Sequence, residues 1–280
     1  MIGATRGHRM PQPHLSLQGV VRVYPGGRNT EPVHALGPID LQIMQGEFFS
    51  VVGPSGCGKS TLLEIVAGLQ TLTEGRYVFE GHSVDGTVPD GVGVVFQENA
   101  SFPWLTVREN IAFGLRMTDI SHKEVDKRVD YAIGLMGLNG FAHNYPAQLS
   151  GGMRQRVCIA RTLVMQPRLI LLDEPFGALD QQTRLLMGDE LLRLWRETGA
   201  TVILITHALD EAALLSDRIA VMSARPGLIL DVVETDWSLE RDSSLVEDAK
   251  LAEISTRLWK LLRSESMKAM GYGAAAVREQ

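Results

Sequence analysis

The stretch "FFSVVGPSGCGKST", Phe48–Thr61, decides how the rest of the chain is interpreted. The run "FFSVV" predicts a buried strand, and the segment that begins at Lys59 predicts a helix to about Gly68. Between them, residues 53–60 fit the pattern G-x-x-x-x-G-K-S/T at every fixed position. Glycines in such a loop let backbone amides approach phosphate groups closely. Because the loop lies between a strand and a helix, the stretch predicts a phosphate-binding loop.

Individual residues of this loop have separate predicted roles. Lys59 would contact the β and γ phosphates of a nucleotide, and Ser60 would hold a metal ion through its hydroxyl. Cys57 is expected to be a small neutral spacer. The binding candidates in this segment are Gly53, Pro54, Ser55, Gly56, Cys57, Gly58, Lys59, Ser60 and Thr61.

Three further segments end in polar residues after an apolar strand pattern. "LILLDEP" carries Asp173, placed to reach magnesium through water, and Glu174, placed to polarise a water that attacks the γ-phosphate. Gln97 ends "VGVVFQ" and His207 ends "ILITH". A lone histidine is usually structural, but the carboxyl ends of parallel strands are where ligands bind in such sheets. Gln97 has the same placement and could reach metal or water.

A second glycine-containing segment, "QLSGGMRQR" at Gln148–Arg156, also has the form of a helix start. Ser150, Gly151 and Gly152 precede a basic, helix-prone run, as at a helix N-terminus that binds an anion. The alternative is a simple helix cap. A chain with one phosphate loop has no evident need for a second such site.

The alternation of elements indicates an α/β fold. Strand patterns separated by helices after Leu169 predict a parallel sheet that is covered on both faces. The N-terminal part has a β pattern, with a hairpin turn at Gln45–Gly46, and a mainly helical subdomain is inserted at about residues 98–166. Capping boxes are predicted at Thr106–Glu109 and Ser121–Glu124.

The domain boundaries follow from this pattern and from the ends of the chain. We expect a flexible arm at residues 1–13, one domain at 14–235 and a helical tail at 236–280. The tail helix has one apolar face, made by Leu251, Ile254, Leu258, Leu261 and Leu262. A terminal helix packed on the core is favoured over a membrane-surface or partner helix. Residues 267–280 are expected to fray.

Composition limits the class of protein. The 280 residues carry a net charge of −6, which argues against nucleic-acid binding by general electrostatics. With two cysteines, Cys57 and Cys158, we expect reduced thiols in the cytoplasm. The N-terminal residues lack a secretory apolar stretch, so we expect no export. Because no run of about 18 apolar residues occurs, the chain is not expected to span a membrane alone.

Taken together, the ordered motifs resemble those of the ATP-binding subunits of ABC transporters, over roughly Leu15 to Leu230. The correspondence is to the Walker A loop ("GPSGCGKS"), the Q-loop (Gln97), the signature ("LSGGM"), Walker B ("LILLDE"), the D-loop ("GALD", 177–180) and the switch histidine (His207). Tyr24 is placed like the aromatic residue that stacks on adenine, although one tyrosine near a turn could equally be a packing residue.

This resemblance implies a P-loop NTPase core with a parallel sheet, an N-terminal antiparallel β subdomain and an inserted helical subdomain. It implies ATP hydrolysis with Glu174 and His207 as catalytic residues, and Mg²⁺ held by Ser60, Gln97 and Asp173. Two copies would pair head to tail, so that Ser150, Gly151 and Gly152 of one close on the γ-phosphate of the other.

The resemblance also implies partners and a location. These are two membrane-spanning permease subunits and, indirectly, a periplasmic or extracellular substrate-binding protein, but no nucleic acid. The chain would be peripheral on the cytoplasmic face of the plasma membrane. Two residues depart from the family pattern: Met153 stands where glutamine is commonest, and Ala208 where aspartate is usual.

The stretches "FQENASFPWLTVRENIAFGL" and "VMSARPGLI" look like the subfamily that imports nitrate, taurine and aliphatic sulfonates. Sulfonate or taurine is the preferred cargo, and a nitrate-like ion is the next candidate. A different ABC system or a non-transport ABC ATPase is the alternative. A buried Trp104 with Phe102 would suit a permease docking groove, or both rings could pack inside the helical subdomain.

Overall fold

The computed structural model describes residues 13–27, 30–84, 86–97, 100–177 and 179–270. Its strands are β1 (Pro13–Tyr24), β2 (Val33–Met44), β3 (Phe48–Val52), β4 (Glu74–Phe79), β5 (His82–Ser83), β6 (Val92–Val95), β7 (Leu169–Asp173), β8 (Thr201–Ile205), β9 (Arg218–Met222) and β10 (Ile229–Glu234). Its α-helices are α1 (Lys59–Val66), α2 (Val107–Ala112), α3 (His122–Leu135), α4 (Gly151–Leu163), α5 (Gln181–Thr198), α6 (Leu209–Leu215) and α7 (Ala249–Ala269). Short 3₁₀ helices lie at Leu115–Met117, Asn139–Phe141, Pro146–Gln148 and Ser243–Glu247.

The strands form two sheets. The larger one has the order β10-β9-β3-β8-β7-β6, in which all pairs are parallel except β10 with β9. The smaller one is antiparallel, with the order β2-β1-β4-β5. The predicted α/β class, with a parallel sheet and an N-terminal antiparallel sheet, is confirmed.

The larger sheet separates two hydrophobic clusters, which is why its central strands are buried along their whole length. In β8, Val202 and Leu204 belong to the cluster on one face, and Ile203 and Ile205 to the cluster on the other. Helices α2 to α7 supply the first cluster, and α1 with the antiparallel sheet supplies the second. Strands covered on both faces have no polar face, so they appear in the sequence as continuous apolar runs.

The predicted hairpin at Gln45–Gly46 is wrong. A turn is present there, but β2 pairs with β1 in the smaller sheet, whereas β3 pairs with β8 and β9 in the larger one. The turn is held from outside: the Trp195 indole donates to the Gly46 carbonyl at 2.9 Å, and the Gly46 amide donates to Thr201 Oγ1 at 2.9 Å. These contacts with α5 and β8 hold the turn at the point where the chain leaves the smaller sheet and enters the larger one.

The helix starts were partly predicted. The capping box at Thr106–Glu109 is confirmed, with hydrogen bonds in both directions. At Ser121 only half of the predicted box forms, because the Glu124 carboxylate accepts from Arg128 at 2.8 Å instead of from the backbone. The helix predicted from Lys59 ends at Val66, two residues before Gly68.

The C-terminal helix α7 packs on the core, as predicted. Leu258 is fully buried, and Leu261 packs partly buried against the same cluster. Burying a leucine side chain contributes about 1.5–3 kcal/mol, so this face holds the helix down. The expected fraying is wrong for residues 267–269, which continue α7; residues 271–280 lie outside the described residues, as does the predicted arm up to residue 12.

None of the helices in the described part of the chain combines the length and the apolar character that crossing a bilayer requires.

Candidate active site

The phosphate-loop segment connects β3 to α1 and needs glycine at specific positions for reasons of space. Gly58 has φ of 111°, and a Cβ there would lie 2.8 Å from the Ala35 carbonyl oxygen. At Gly53 a Cβ would lie 2.9 Å from Cys57 Sγ. A side chain at Gly58 would be both strained and obstructed, so the loop shape depends on this glycine.

Lys59 places a positive charge inside the loop. Its side chain is buried, and Nζ donates to the carbonyl oxygens of Gly53 at 2.9 Å and Pro54 at 3.0 Å. The amides at the start of α1 add the positive end of the helix dipole. The loop therefore combines a fixed ammonium group with free backbone donors, an arrangement that favours an anion.

Asp173 lies at the end of β7 and is buried. Burial raises the pKa of its carboxyl group, while hydrogen bonding by the Ser60 hydroxyl and the charge of Lys59 act in the opposite direction. The Asp173 carboxylate, the Ser60 hydroxyl and the Gln97 side-chain amide each supply an oxygen atom, and Mg²⁺ prefers oxygen ligands. Within the described ranges no group of three or more His, Cys, Asp or Glu residues could hold a metal. This donor set fits a magnesium ion that is also held by phosphate oxygens.

The Glu174 carboxylate is the point where three strand ends meet. Its Oε2 accepts from Gln97 Nε2 at 3.1 Å and lies 3.1 Å from His207 Nδ1. Gln97 follows β6, Glu174 follows β7 and His207 follows β8, and these strands are neighbours in the sheet. The structure therefore brings three of the predicted residues together around one oxygen atom, because parallel strands place their carboxyl ends at one edge.

The backbone at Glu174 adopts an unusual conformation, with φ of 45°. Its amide donates to the Ile205 carbonyl at 2.8 Å, which joins the end of β7 to the end of β8. Left-handed backbone at a residue other than glycine is costly and persists where the surroundings impose it. Here it turns the Glu174 side chain toward Gln97 and His207.

Sequence reasoning missed two residues beside this cluster, Arg184 and Glu211. The Thr206 hydroxyl donates to the Glu211 carboxylate and accepts from the Ala208 amide at 3.0 Å. Arg184 Nη2 donates to the Leu179 carbonyl at 3.2 Å. The only signal in the sequence was the position of Glu211, in the first turn of the helix that follows His207.

Ala208 is the N-cap residue of α6, and it has no side-chain acceptor. Its backbone is extended, with φ of −86° and ψ of 108°, which suits a capping side chain. We expect Ala208→Asp to raise the free energy of unfolding by about 1 kcal/mol, because the new carboxylate can accept from an unpaired amide of the first turn. Urea unfolding of the nucleotide-free chain measures this.

Two comparison variants identify the cause of that change. Ala208→Asn supplies a neutral cap and should stabilise similarly, whereas Ala208→Leu supplies none and should not. A decrease in stability for both Asp and Asn would contradict this account of the cap.

The signature segment forms a helix start, as predicted. Ser150 is the N-cap of α4, and its hydroxyl accepts from the Met153 amide at 3.3 Å. A Cβ at Gly152 would lie 2.5 Å from Leu179 Cδ2, so this glycine permits close packing on the segment that follows Glu174. Met153 is partly buried against the core, which explains an apolar residue there. The hydrogen bonds of Ser150 found in the described part of the chain stay within α4.

Tyr24 lies at the end of β1, beside the first turn of α1. Its hydroxyl is 3.4 Å from Thr61 Oγ1, and the Arg22 guanidinium lies 4.6 Å from the ring centroid. Arg22 therefore stacks on the ring as a cation–π pair. Adenine stacking by Tyr24 stays a prediction.

Trp104 is not buried, so that expectation is wrong. Its side chain is 70% exposed, although the ring stacks on Phe102 with centroids 5.6 Å apart. The ring centroids of Phe102 and Phe113 are 4.6 Å apart, and the Arg161 guanidinium carbon lies 4.8 Å from the Phe102 ring centroid. Phe102 is thus held by the helical subdomain, while Trp104 lies on the surface.

A glycine loop with a buried lysine, two adjacent carboxylates and polar strand ends at one edge of a parallel sheet define a nucleotide-binding ATPase core. The family model for "ABC transporter" matches residues 36–177. The chain belongs to the ABC transporter family, as an ATP-binding cassette with ATPase chemistry.

Several relatives cover most of this chain. It is 46% identical over 236 residues to the taurine import ATP-binding protein TauB of Roseobacter denitrificans, covering 84% of this chain and 87% of the relative. It is 44% identical over 231 residues to the aliphatic sulfonates import ATP-binding protein SsuB of Bacillus cereus, covering 82% and 89%. A solved structure described as the dimeric post-hydrolysis state of the ATP-binding cassette MJ0796 bound to ADP and Pi superposes with a TM-score of 0.72, at 33% identity, covering 80% of this chain and 100% of that one.

Proposed function

We propose that this chain is the ATP-hydrolysing subunit that powers import of a small oxyanion, with aliphatic sulfonate or taurine preferred and nitrate-like cargo as the alternative. The observation that carries the catalytic part is the convergence of Gln97 and His207 on the Glu174 carboxylate beside the phosphate loop. Support for the cargo class comes from relatives named for taurine import and for aliphatic sulfonates import.

Each residue of the proposed site has a chemical role. Lys59 and the first amides of α1 would bind the β and γ phosphates of ATP. Ser60, Gln97 and Asp173 would hold Mg²⁺, which supplies charge neutralisation to the phosphate oxygens when bound. Residues 53–61 form the cradle, and Tyr24 lies beside it as the adenine-stacking candidate.

Glu174 would act as general base on the attacking water. Gln97 and His207 both contact its Oε2, and these contacts hold the carboxylate in one orientation. The side chain of Glu174 is only 19% exposed, so few water molecules compete for it. An oriented base that is partly shielded from solvent is the arrangement that general base catalysis requires.

ATP would be bound between two copies of the chain. The start of α4, with Ser150, Gly151 and Gly152, offers free amides and a hydroxyl but no large side chain. Such a helix start can approach a phosphate closely. The cassette structures described as dimeric among the neighbours support pairing of two copies. In the proposed head-to-tail pair, this helix start meets the phosphate loop of the other copy.

Two membrane-spanning permease subunits would dock on the surface that carries Trp104. Phe96, Phe113 and Met117 are also exposed in this part of the chain. Exposed aromatic side chains of this kind are common anchors of protein interfaces. A substrate-binding protein would act indirectly, through the permease, and the chain would be peripheral on the cytoplasmic face of the membrane.

The proposal is tested by co-expression of the chain with candidate sulfonate and taurine permeases. We expect Trp104→Ser to lower co-purification with the permease at least about tenfold, because an interface tryptophan often contributes 2 kcal/mol or more. Trp259→Ser is the matched control, since Trp259 is 55% exposed on α7. Equal losses for both variants would contradict the docking surface.

The other outcomes separate the alternatives. If none of these permeases co-purifies, the proposal fails, and the chain belongs to a different ABC system or is a non-transport ABC ATPase. Vesicles that contain the complete system should take up taurine or aliphatic sulfonates when ATP is supplied, and uptake of nitrate alone would contradict the cargo preference.

A further inference from the structure

The backbone on either side of His207 is held by the side chain of Thr206. Thr206 is buried, and its hydroxyl donates to the Glu211 carboxylate while it accepts from the Ala208 amide at 3.0 Å. The Thr206 amide donates to the Val51 carbonyl at 3.3 Å, which ties the strand end to β3. One hydroxyl thus joins the end of β8 to the start of α6, and His207 lies between them.

The His207 side chain depends on this backbone for its position. It is 60% exposed, so packing does not restrain the ring, and the contact it makes is with Glu174 Oε2 at 3.1 Å. Ala208, the next residue, has no side-chain group that could hold the ring. The Thr206 contacts hold the backbone on both sides of His207, so they fix the point from which the ring reaches Glu174.

Glu211 anchors Thr206 from inside the protein. Burial raises the pKa of Glu211, while the Thr206 hydroxyl and the charge of Arg184 act in the opposite direction. One carboxylate oxygen, Oε1, is buried and has no hydrogen-bond partner among the described residues. A buried carboxylate oxygen without a hydrogen-bond partner lowers the free energy of unfolding. The hydrogen bond from Thr206 and the charge of Arg184 offset only part of this loss.

Arg184 connects this anchor to the segment after Glu174. It lies near Glu211 and donates to the Leu179 carbonyl at 3.2 Å. Leu179 in turn packs where a Cβ at Gly152 would be. The carboxylate of Glu211 therefore lies between the strand end that carries His207 and the Arg184 side chain that donates to Leu179.

We propose that Glu211 is a positioning residue for ATP hydrolysis, which acts through the Thr206 hydroxyl to hold His207 Nδ1 against Glu174. The proposal rests on the roles of Glu174 and His207 in the proposed function. Position 208 is alanine, so the restraint on His207 comes from Thr206 and Glu211.

The test compares kcat and KM for ATP in single variants. Thr206→Val and Glu211→Met remove the two partners of the hydrogen bond, and each should lower kcat by roughly tenfold to a hundredfold, because small misplacement of a contributing group has effects of this size. KM for ATP should stay within about twofold, since the phosphate loop is untouched. Thr206→Ser and Glu211→Gln keep a donor and an acceptor and should recover most of kcat.

A second measurement separates positioning from general loss of structure. In a His207→Ala background, Thr206→Val should cause no further loss of kcat, because the group it positions is gone. A further loss of tenfold or more would mean that Thr206 acts in another way and would overturn the proposal. If Glu211→Met does not fold, Thr206→Val, which keeps the shape of the side chain, decides the outcome.

The controls also distinguish failure of the inference from failure of the proposed function. If His207→Ala keeps normal kcat, the role of His207 in the proposed site is wrong, and the inference fails with it. If His207→Ala loses activity while Thr206→Val and Glu211→Met keep it, only the inference is overturned.

Discussion

Glu174→Gln is expected to lower ATP turnover by about 10²- to 10⁴-fold, the usual contribution of a general base, while ATP binding is retained. The amide cannot take a proton from water, but it keeps the size of the carboxylate and can still accept from Gln97. Lys59 and the start of α1 are unchanged, so the phosphates should bind as before. In the proposed pair, ATP joins the two copies and hydrolysis separates them, so the variant should accumulate as an ATP-bound dimer.

The measurement is steady-state phosphate release, together with size-exclusion chromatography in the presence of ATP and Mg²⁺. Glu253→Gln is the matched control, since it makes the same exchange at an exposed position on α7 and should change neither result. Near-normal hydrolysis by Glu174→Gln would remove Glu174 from its role as the base. Loss of hydrolysis without a dimer would retain the base and contradict the pairing.

The sequence predicted that three residues of the candidate site follow strands, and the structure has them there. Gln97, Glu174 and His207 are far apart in the chain, yet each comes within two residues of the end of an apolar run. Once those runs are assigned to one parallel sheet, their ends must meet at one edge. The local patterns do not give the sheet order, in which β6, β7 and β8 are neighbours, and that order brings the three side chains together.

The errors have a different physical cause, since they depend on contacts between distant segments. At Gln45–Gly46 the local signal for a turn was correct, but the pairing of β3 with β8 and β9 depends on sequence far from the turn. The exposure of Trp104 depends on how Phe102 packs against Phe113 and Arg161.

Glu211 was missed for a related reason. In sequence it is an ordinary acidic residue in the first turn of a helix, where acidic residues are favoured by the helix dipole. Only the structure shows that its carboxylate accepts from Thr206 and that its Oε1 is buried.

Ser150→Arg is expected to abolish hydrolysis while the isolated chain still binds ATP. The phosphate loop lies on β3 and α1, whereas the hydrogen bonds of Ser150 stay within α4, so nucleotide binding by one copy should not depend on it. In a head-to-tail pair, the long guanidinium side chain would keep the start of α4 away from the other copy's phosphate. Misplaced donors of this kind cost about 10²-fold or more in kcat.

Ser150→Ala separates the two effects of the change. It removes the same N-cap hydroxyl, at a cost of about 1 kcal/mol in stability, but adds no bulk. The alanine variant should therefore keep more activity than the arginine variant, at similar thermal stability. Loss of ATP binding by monomeric Ser150→Arg would mean that α4 and the phosphate loop act within one chain.

Mixing the two inactive variants gives the sharpest test of pairing. In the proposed head-to-tail pair, each site takes Glu174 from one copy and Ser150 from the other. A mixed dimer of Glu174→Gln with Ser150→Arg then has both defects in one of its two sites. The second site is intact. With random pairing, half of the dimers are mixed, so the mixture should recover about a quarter of normal activity if the sites act independently. If each site were built within one chain, both variants would stay inactive after mixing, so any recovered hydrolysis requires that Ser150 acts on the nucleotide of its partner.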